Sequence, residues 1–400
     1  MRDWQALQRE MMAWRHDLHA HPEFGFEETR TAAFVADKLS SLGMDEVVEG
    51  VGGTGVVATL TRGQSNRAIA LRADMDALRI AEQGARSYGS TNPGVMHACG
   101  HDGHTAMLLG AAKILAEDGG FDGAVRFVFQ PAEEWGRGAL AMIEDGLLER
   151  FPFEEIYGLH NMPGYPLGEF RTRAGATMSA EDNFEIVLKG VGGHASRPHV
   201  GRETMVAGAA LVMSLQTIVS RRLDATETAV VSVTEFVTDG ARNVLPGTAT
   251  IRGDVRSFNG AVSAQVEAQM RRIAEGIALT YNVSAEVGYS REFVPLINDP
   301  MCTDAALATA HRLFGDKRVT VADQPITASE DFARFLARVP GCFAFIGVGV
   351  DKPPLHNPTY DFDDAILLDG ATFLAEIARA RLAVGGAEFV GAADGAGNGC

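Results

Sequence analysis

The run His97-Ala98-Cys99-Gly100-His101-Asp102-Gly103-His104 places three imidazoles, a thiol and a carboxylate in eight positions, the densest group of metal-binding side chains in the 400-residue chain. Thiolate and imidazole suit zinc and its first-row neighbours, and Cys-x-His lets two donors converge from a loop. Further donors stand in Arg72-Ala73-Asp74-Met75-Asp76, in Gln130-Pro131-Ala132-Glu133-Glu134, at His160, and at His356 in Pro354-Leu355-His356-Asn357-Pro358. Of two adjacent carboxylates, one can hold a metal while the other faces the water to be activated. A divalent cation makes such a water acidic near neutral pH, and a glutamate can take its proton and pass it to a leaving amine. Cys99, His101, Glu134, His160 and His356 suffice for two metals if one donor bridges. Singly, each has a plainer reading: His160 as a core or surface histidine, Glu133-Glu134 as a solvated pair, Cys99 as a small core hydrophobe. Their joint placement favours the metal.

These donors need elements to carry them. Apolar runs predict strands at Ala68–Leu71, Ala124–Phe129 and Glu155–Asn161, whose ends deliver Asp74/Asp76, Glu133/Glu134 and His160. Ligand sites in open α/β sheets lie at such carboxyl ends. Helices are expected from His104 to Leu115 and from about Gly138 to Leu148. At the N-terminus, helical spacing over residues 4 to about 43 sets Leu7, Met11, Trp14 and Leu18 on one face, then Ala33, Phe34, Ala36, Leu39 and Leu42 on another. Between these two helices, His19-Ala20-His21-Pro22-Glu23 reads as a surface loop. Gly50-Val51-Gly52-Gly53-Thr54-Gly55 matches GxGxxG, but strand-like Val56–Leu60 follows it, so a hairpin turn is expected rather than a nucleotide loop.

From about residue 181 the rhythm becomes strand (Phe184–Leu188), helix (about Thr204–Val219), strands (Ala229–Val233, Thr248–Arg256), helix (about Ala261–Leu279) and strand (Ser284–Val287). That βαββαβ order predicts a ferredoxin-like module. Because His356 lies beyond it, the module reads as inserted, with residues 181–295 interrupting a first domain made of 1–180 and 296–383. The Gly/Ala-rich 384–400 reads as a disordered tail.

Composition narrows the function classes. With 46% hydrophobic residues the chain can bury a large core, and a formal charge of -17 disfavours nucleic acid and anionic lipid as partners. Four scattered cysteines, Cys99, Cys302, Cys342 and Cys400, make no disulfide framework, and no run approaches a membrane span or a leader's apolar segment. A soluble, cytoplasmic protein is expected.

Read together, Arg72–Leu78, His97–Thr105, Gln130–Glu134, Gly158–Asn161, Gly192-Gly193-His194-Ala195, Asn243-Val244-Leu245-Pro246, Ser329-Glu330-Asp331-Phe332 and Leu355–Pro358 resemble the M20 metallopeptidase family. The resemblance runs in order from about residue 10 to 380 and is closest to the aminoacylase, hippurate hydrolase and auxin-conjugate hydrolase branch. It implies a zinc-peptidase-like three-layer α/β/α catalytic domain with the ferredoxin-like insert as lid and dimerisation domain. It also implies two divalent metals, zinc, manganese, cobalt or nickel, with Cys99 bridging, His101 and His160 completing one site and Glu134 and His356 the other. Glu133 would be the general base and Asp76 the carboxylate that orients a ligand such as His101. His194 would reach across a homodimer to polarise the scissile carbonyl, with Asn243 similarly implicated. The implied reaction is hydrolysis of N-acyl amino acids, acetyl, benzoyl or other aryl-acyl conjugates, to an acid and a free amino acid. The substrate carboxylate needs a cation, for which the lid offers Arg197, Arg202 and Arg242.

Two positions depart from the branch: Arg79 replaces its usual proline and Trp135 its common glycine. Arg79 could meet an acidic substrate, and Trp135 either walls an aromatic acyl pocket or packs into the core, packing being preferred. The rival activities are a dipeptidase or exopeptidase on the same site, and a metal- or small-molecule-binding protein without turnover.

Overall fold

A computed structural model describes residues 2–383. The chain opens with helices α1 (Trp4–Ala20) and α2 (Thr29–Ser41), the hairpin β1 (Glu46–Val51) and β2 (Gly55–Arg62), and β3 (Ala68–Asp74). Next come α3 (His101–Asp118), β4 (Gly123–Gln130), α4 (Gly138–Glu144), α5 (Leu147–Arg150), β5 (Glu155–Met162), β6 (Phe170–Thr172) and β7 (Gly175–Met178). A second unit follows: β8 (Ala180–Lys189), β9 (Gly193–His194), α6 (Thr204–Leu215), β10 (Ala229–Thr238), β11 (Val244–Leu245), β12 (Thr248–Ser257), α7 (Gly260–Tyr281) and β13 (Ser284–Phe293). The chain then returns through β14 (Leu296–Asn298), α8 (Pro300–Phe314), β15 (Val319–Val321), α9 (Ala333–Leu336), β16 (Gly341–Gly347) and α10 (Leu367–Arg381).

Eight strands form one mixed sheet in the order β1-β2-β4-β3-β5-β16-β6-β15. At its centre β3 runs parallel to β4 and β5, and β5 parallel to β16. Every residue of β3 is buried, as expected for a strand covered on both faces. Leu7, Met11 and Trp14 of α1 share one core with α2, α3, α8 and α10 on one face of the sheet. Ala139 and Met142 of α4, Leu147 of α5 and Phe335 of α9 close the other face. The result is a three-layer α/β/α sandwich.

The second unit is a four-stranded antiparallel sheet, β10-β12-β8-β13, in which the strands stand second, third, first and fourth in chain order. Burial along β8 alternates down its length, so one face packs on α6 and α7 while the other carries solvent-exposed pairs such as Arg252 with Glu185 and Glu235.

Several details differ from the sequence expectation. His19 is no surface-loop residue: it lies in the last turn of α1, fully buried, bonded to Asp102 of α3 at 2.9 Å. On α2 the buried stripe is Ala32, Val35, Ala36 and Leu39, with Ala33 exposed. The helix after the histidine cluster starts at His101, three residues early, because Gly100 adopts φ 91° and ends the preceding loop. A Cβ there would lie 2.2 Å from Asn161 Oδ1. The helix expected over 138–148 breaks into α4 and α5 at Gly146, φ 83°. The glycine run 50–55 does make the β1–β2 hairpin, and Gly52 at φ 67° lets its backbone press on α4, where a Cβ would meet Met142 N at 2.5 Å. The tail reading, 384–400, lies outside the described residues. The three described cysteines are free.

Candidate metal centre

The carboxyl ends of β3, β4 and β5 converge on a cavity of about 310 Å³ whose lining includes Cys99, Glu133, Glu134, His160 and His356. The donor atoms of Cys99, His101 and His160 all lie within 4.8 Å of one another, and so do those of Cys99, Glu134 and His356. Cys99 is the member common to both triads, with its Sγ 3.6 Å from His160 Nε2. His356 Nε2 lies 3.3 Å from Glu134 Oε1. The backbone N–H of His356 donates to Ala98 O at 2.8 Å, which ties the late loop to the cysteine loop.

The ligand orientations follow from the hydrogen bonds behind them. His101 Nδ1 faces Asp76 Oδ1 at 3.1 Å and Asp76 O at 3.0 Å, so its lone pair is left on Nε2. His160 Nδ1 donates to Asn161 O at 2.6 Å, again freeing Nε2. Among the described residues, neither His101 Nε2 nor Glu134 Oε1, both buried, has a hydrogen-bond partner. Unpartnered nitrogen and oxygen donors beside a thiol are a costly arrangement for a bare protein, and one that a divalent cation satisfies. The residues present therefore fit two first-row metals. His356 and Ala132, which precedes Glu133, are two of the four described non-glycine residues with positive φ, at 65° and 48°. Such strain gathers where function fixes a side chain.

The field is uneven in a way that suits acid–base work. Burial, reinforced by Glu330 and Glu134, pushes the Glu133 carboxyl well above its usual range. Burial would raise Glu134 too, but the nearby His356 imidazole and the charge of His101 hold it low. Two adjacent carboxyls are thus driven apart in proton affinity. Burial and the neighbouring glutamates also raise the Cys99 thiol, a penalty that a bound cation reverses.

Behind the donors sits Arg72, fully enclosed, donating to Gln130 Oε1 at 2.8 Å, Asp74 Oδ2 at 2.7 Å and Glu330 Oε1 at 2.9 Å. It joins three site-bearing segments. His104 bridges Asp74 and Asn161, and Asp102 binds Arg15 and His19, so both support the loop. His97 is buried, and neither ring nitrogen has a partner among the described residues.

The matching of residues 70–380 to the model of peptidase family M20/M25/M40 then decides the relationship. The chain belongs to this family. It is 41% identical to the hippurate hydrolase of Campylobacter jejuni over 93% of this chain and 96% of that one. With the N-acetyl-L-cysteine deacetylase of Bacillus subtilis it shares 37% over 94% and 89%. A Bacillus subtilis structure described as a dinuclear metal binding peptidase from the M20 family superposes with a TM-score of 0.83 at 33% identity, covering 94% of this chain and 99% of that one.

In this M20 chain the structure gathers Asp76, Cys99, His101, Glu133, Glu134, His160 and His356, but not every expected residue. His194 is exposed in a two-residue ladder opposite Val244, with Ala195 N donating to Asn243 O at 3.0 Å, and Arg242 lies beside it. Neither these three nor Arg197 and Arg202 line the metal cavity. Arg256, which the sequence reading passed over, does line it, held by Glu181 at 2.7 Å, Asp254 at 2.9 Å and Ser329 Oγ at 2.8 Å. The two departures resolve differently from expectation. Trp135 is neither core nor cavity wall: it is 46% exposed and packs edge-on against Phe24 and Phe26. Arg79 lies over the Phe24 ring at 4.1 Å, near Glu27 on the surface, rather than facing the cavity.

Proposed function

We propose that this chain is a metal-dependent amidohydrolase that cleaves N-acyl amino acids into a carboxylic acid and a free amino acid. The observation that carries the reading is Glu133, a carboxyl of raised proton affinity, beside two donor triads that share Cys99. Cys99, His101 and His160 would hold one metal and Cys99, Glu134 and His356 the other, with zinc, manganese, cobalt or nickel suited to these donors. When bound, the two cations supply Lewis-acid charge that polarises the acyl carbonyl and acidifies water. Glu133 takes the proton of the attacking water and delivers it to the leaving amine. Asp76 holds His101 in the binding tautomer. Arg256, the arginine that lines the cavity, would receive the substrate carboxylate through N–H groups left over from its three bonds.

Residues 1–180 with 296–383 would act as the catalytic unit and 181–295 as the lid. His194 and Asn243, exposed at the lid's tip, would serve the cavity of a second copy, with Arg242 beside them; this makes the active species a homodimer. The names of the hydrolase and deacetylase relatives support the acyl-amino-acid substrate. The relative described as a peptidase supports a second reading, a dipeptidase or exopeptidase on the same centre. A screen of acetyl, benzoyl and indoleacetyl amino acids against simple dipeptides, with each metal added and amine release measured, separates the two. Faster release from dipeptides would overturn the first reading.

A further inference from the structure

The turn that carries Glu133 and Glu134 is gripped from two sides by carboxylates. On one side Asp76 Oδ2 accepts the Glu134 N–H at 3.1 Å. On the other, Glu28 Oε1 accepts the Ala132 N–H at 2.8 Å, while Glu28 Oε2 accepts the Thr54 hydroxyl at 2.5 Å. We propose that Glu28 is a positioning residue for catalysis: it clamps Ala132 in its left-handed conformation between the glycine hairpin and α2, and so aims Glu133 and Glu134 into the cavity. The inference rests on the roles given above to those two glutamates.

Three observations separate this from a satisfied core carboxylate. Glu28 stands at the N-cap of α2, yet its side chain makes no capping bond there. Glu23 does that work, accepting from Arg30 N at 3.0 Å and Thr31 N at 2.7 Å. Glu28 also has no Arg, Lys or His within salt-bridge distance among the described residues, although it is fully buried. A carboxyl without a counter-ion is expensive to enclose, and its two bonds go to the catalytic turn and to the hairpin. Finally, the turn cannot relax elsewhere. Ala132 sits at φ 48°, ψ 44°, where an alanine is strained, and its O is held by Gly138 N at 3.1 Å. A Cβ on Gly25 would come within 3.1 Å of Ala132, so any side chain there would press on the turn. The hairpin glycines thereby gain a use: they bring Thr54 to Glu28.

The test compares Glu28→Ala, Glu28→Gln and Thr54→Val with the wild type in two assays, N-acyl amino acid hydrolysis and calorimetric titration with Zn²⁺ or Co²⁺. Loss of an outer partner costs about tenfold to a hundredfold. Glu28→Ala should lower kcat by that factor with KM little changed, and weaken the metal that Glu134 holds. Glu28→Gln keeps an oxygen for Ala132 and an amide for the Thr54 hydroxyl, so it should stay within about threefold of wild type. Thr54→Val, on a half-buried hairpin, should fall between and carries the test if Glu28→Ala does not fold. Unchanged kcat and metal affinity in Thr54→Val and Glu28→Ala, with only Tm lowered, would overturn the proposal, as would a Glu28→Gln as damaged as Glu28→Ala. A wild type that hydrolyses no N-acyl amino acid would instead sink the functional reading, while the metal titrations still judge Glu28.

Discussion

Glu133 and Glu134 are chemically identical side chains that their surroundings make unlike, and the first predictions belong to that contrast. Glu133→Gln should lower kcat by about 10² to 10⁴ with both metals retained, read by steady-state rates and metal analysis. Cys99→Ser should instead reduce bound metal, since it removes the sulfur common to both triads; full stoichiometry in that variant would break the ligand assignment. Gly100→Ala tests the backbone beneath them. Its φ of 91° and the 2.2 Å approach to Asn161 leave a methyl no room, so we expect poorer metal binding and a lowered Tm. At this scale the sequence was informative where chemistry is dense, as in Cys99-x-His101 or Glu133-Glu134. Glu28 and Arg256 were not legible, because an isolated glutamate before a helix, or an arginine alternating along a strand with one solvated face, looks like ordinary surface until its partners are known.

Elements explain how the isolated groups meet. The strand runs that carry Asp74, Gln130 and His160 were readable because strands buried on both faces are nearly continuous apolar stretches. The last turn of α1 was misread because His19 is followed by His21-Pro22, a surface-like pattern that says nothing of Asp102 waiting on α3. That contact predicts a pH dependence. Against burial, which would lower it, bonds to Asp102 and Glu82 lift the His19 imidazole to about 9. Its folded value is raised, so its stabilisation is complete below about 6.5 and is lost as pH rises through about 9. Glu82 is shifted the other way: burial is outweighed by His19 and the Ser90 N–H, which bring it to about 2, so its share is complete above about 4.5 and fades toward 2. Urea unfolding of wild type and His19→Asn should therefore differ most near pH 5.5 and converge above 9, the pH-dependent part being about 3 kcal/mol. A difference independent of pH would dismiss the ion-pair account.

The whole molecule adds what neither residues nor elements contain. Helix α6 is apolar on both sides: Ala207, Leu211 and Leu215 face the lid core while Met205, Val206 and Met213 are exposed. Val230, Phe236 and Val237 are exposed on β10, an edge strand of the same sheet. A helix of this kind asks for cover on its outer face, and a second copy is the proposed cover. Val206→Asp with Met213→Asp should convert the species seen by sedimentation to monomer and, if His194 serves a partner's cavity, abolish hydrolysis while metal content is kept. An active monomer would refute the shared site. The four-stranded antiparallel unit was readable from the change of rhythm after residue 181, whereas the bond from Arg256 to Ser329 was not, since no local pattern encodes a contact between distant segments.

The central sheet carries one more consequence. Strand β5 pairs on one side with β3, already made, and on the other with β16, residue against residue from Ile156 with Gly341 to Met162 with Gly347. During synthesis everything from 163 to 340 must leave the ribosome before that second partner exists, a delay of roughly 10 to 40 s at about 5–20 residues per second. For that interval the nascent chain presents an open row of backbone donors and acceptors in the middle of its future core. A nascent-chain complex stalled before residue 341 should then bind holdase chaperones and aggregate on release, while one stalled well beyond 347 should do neither.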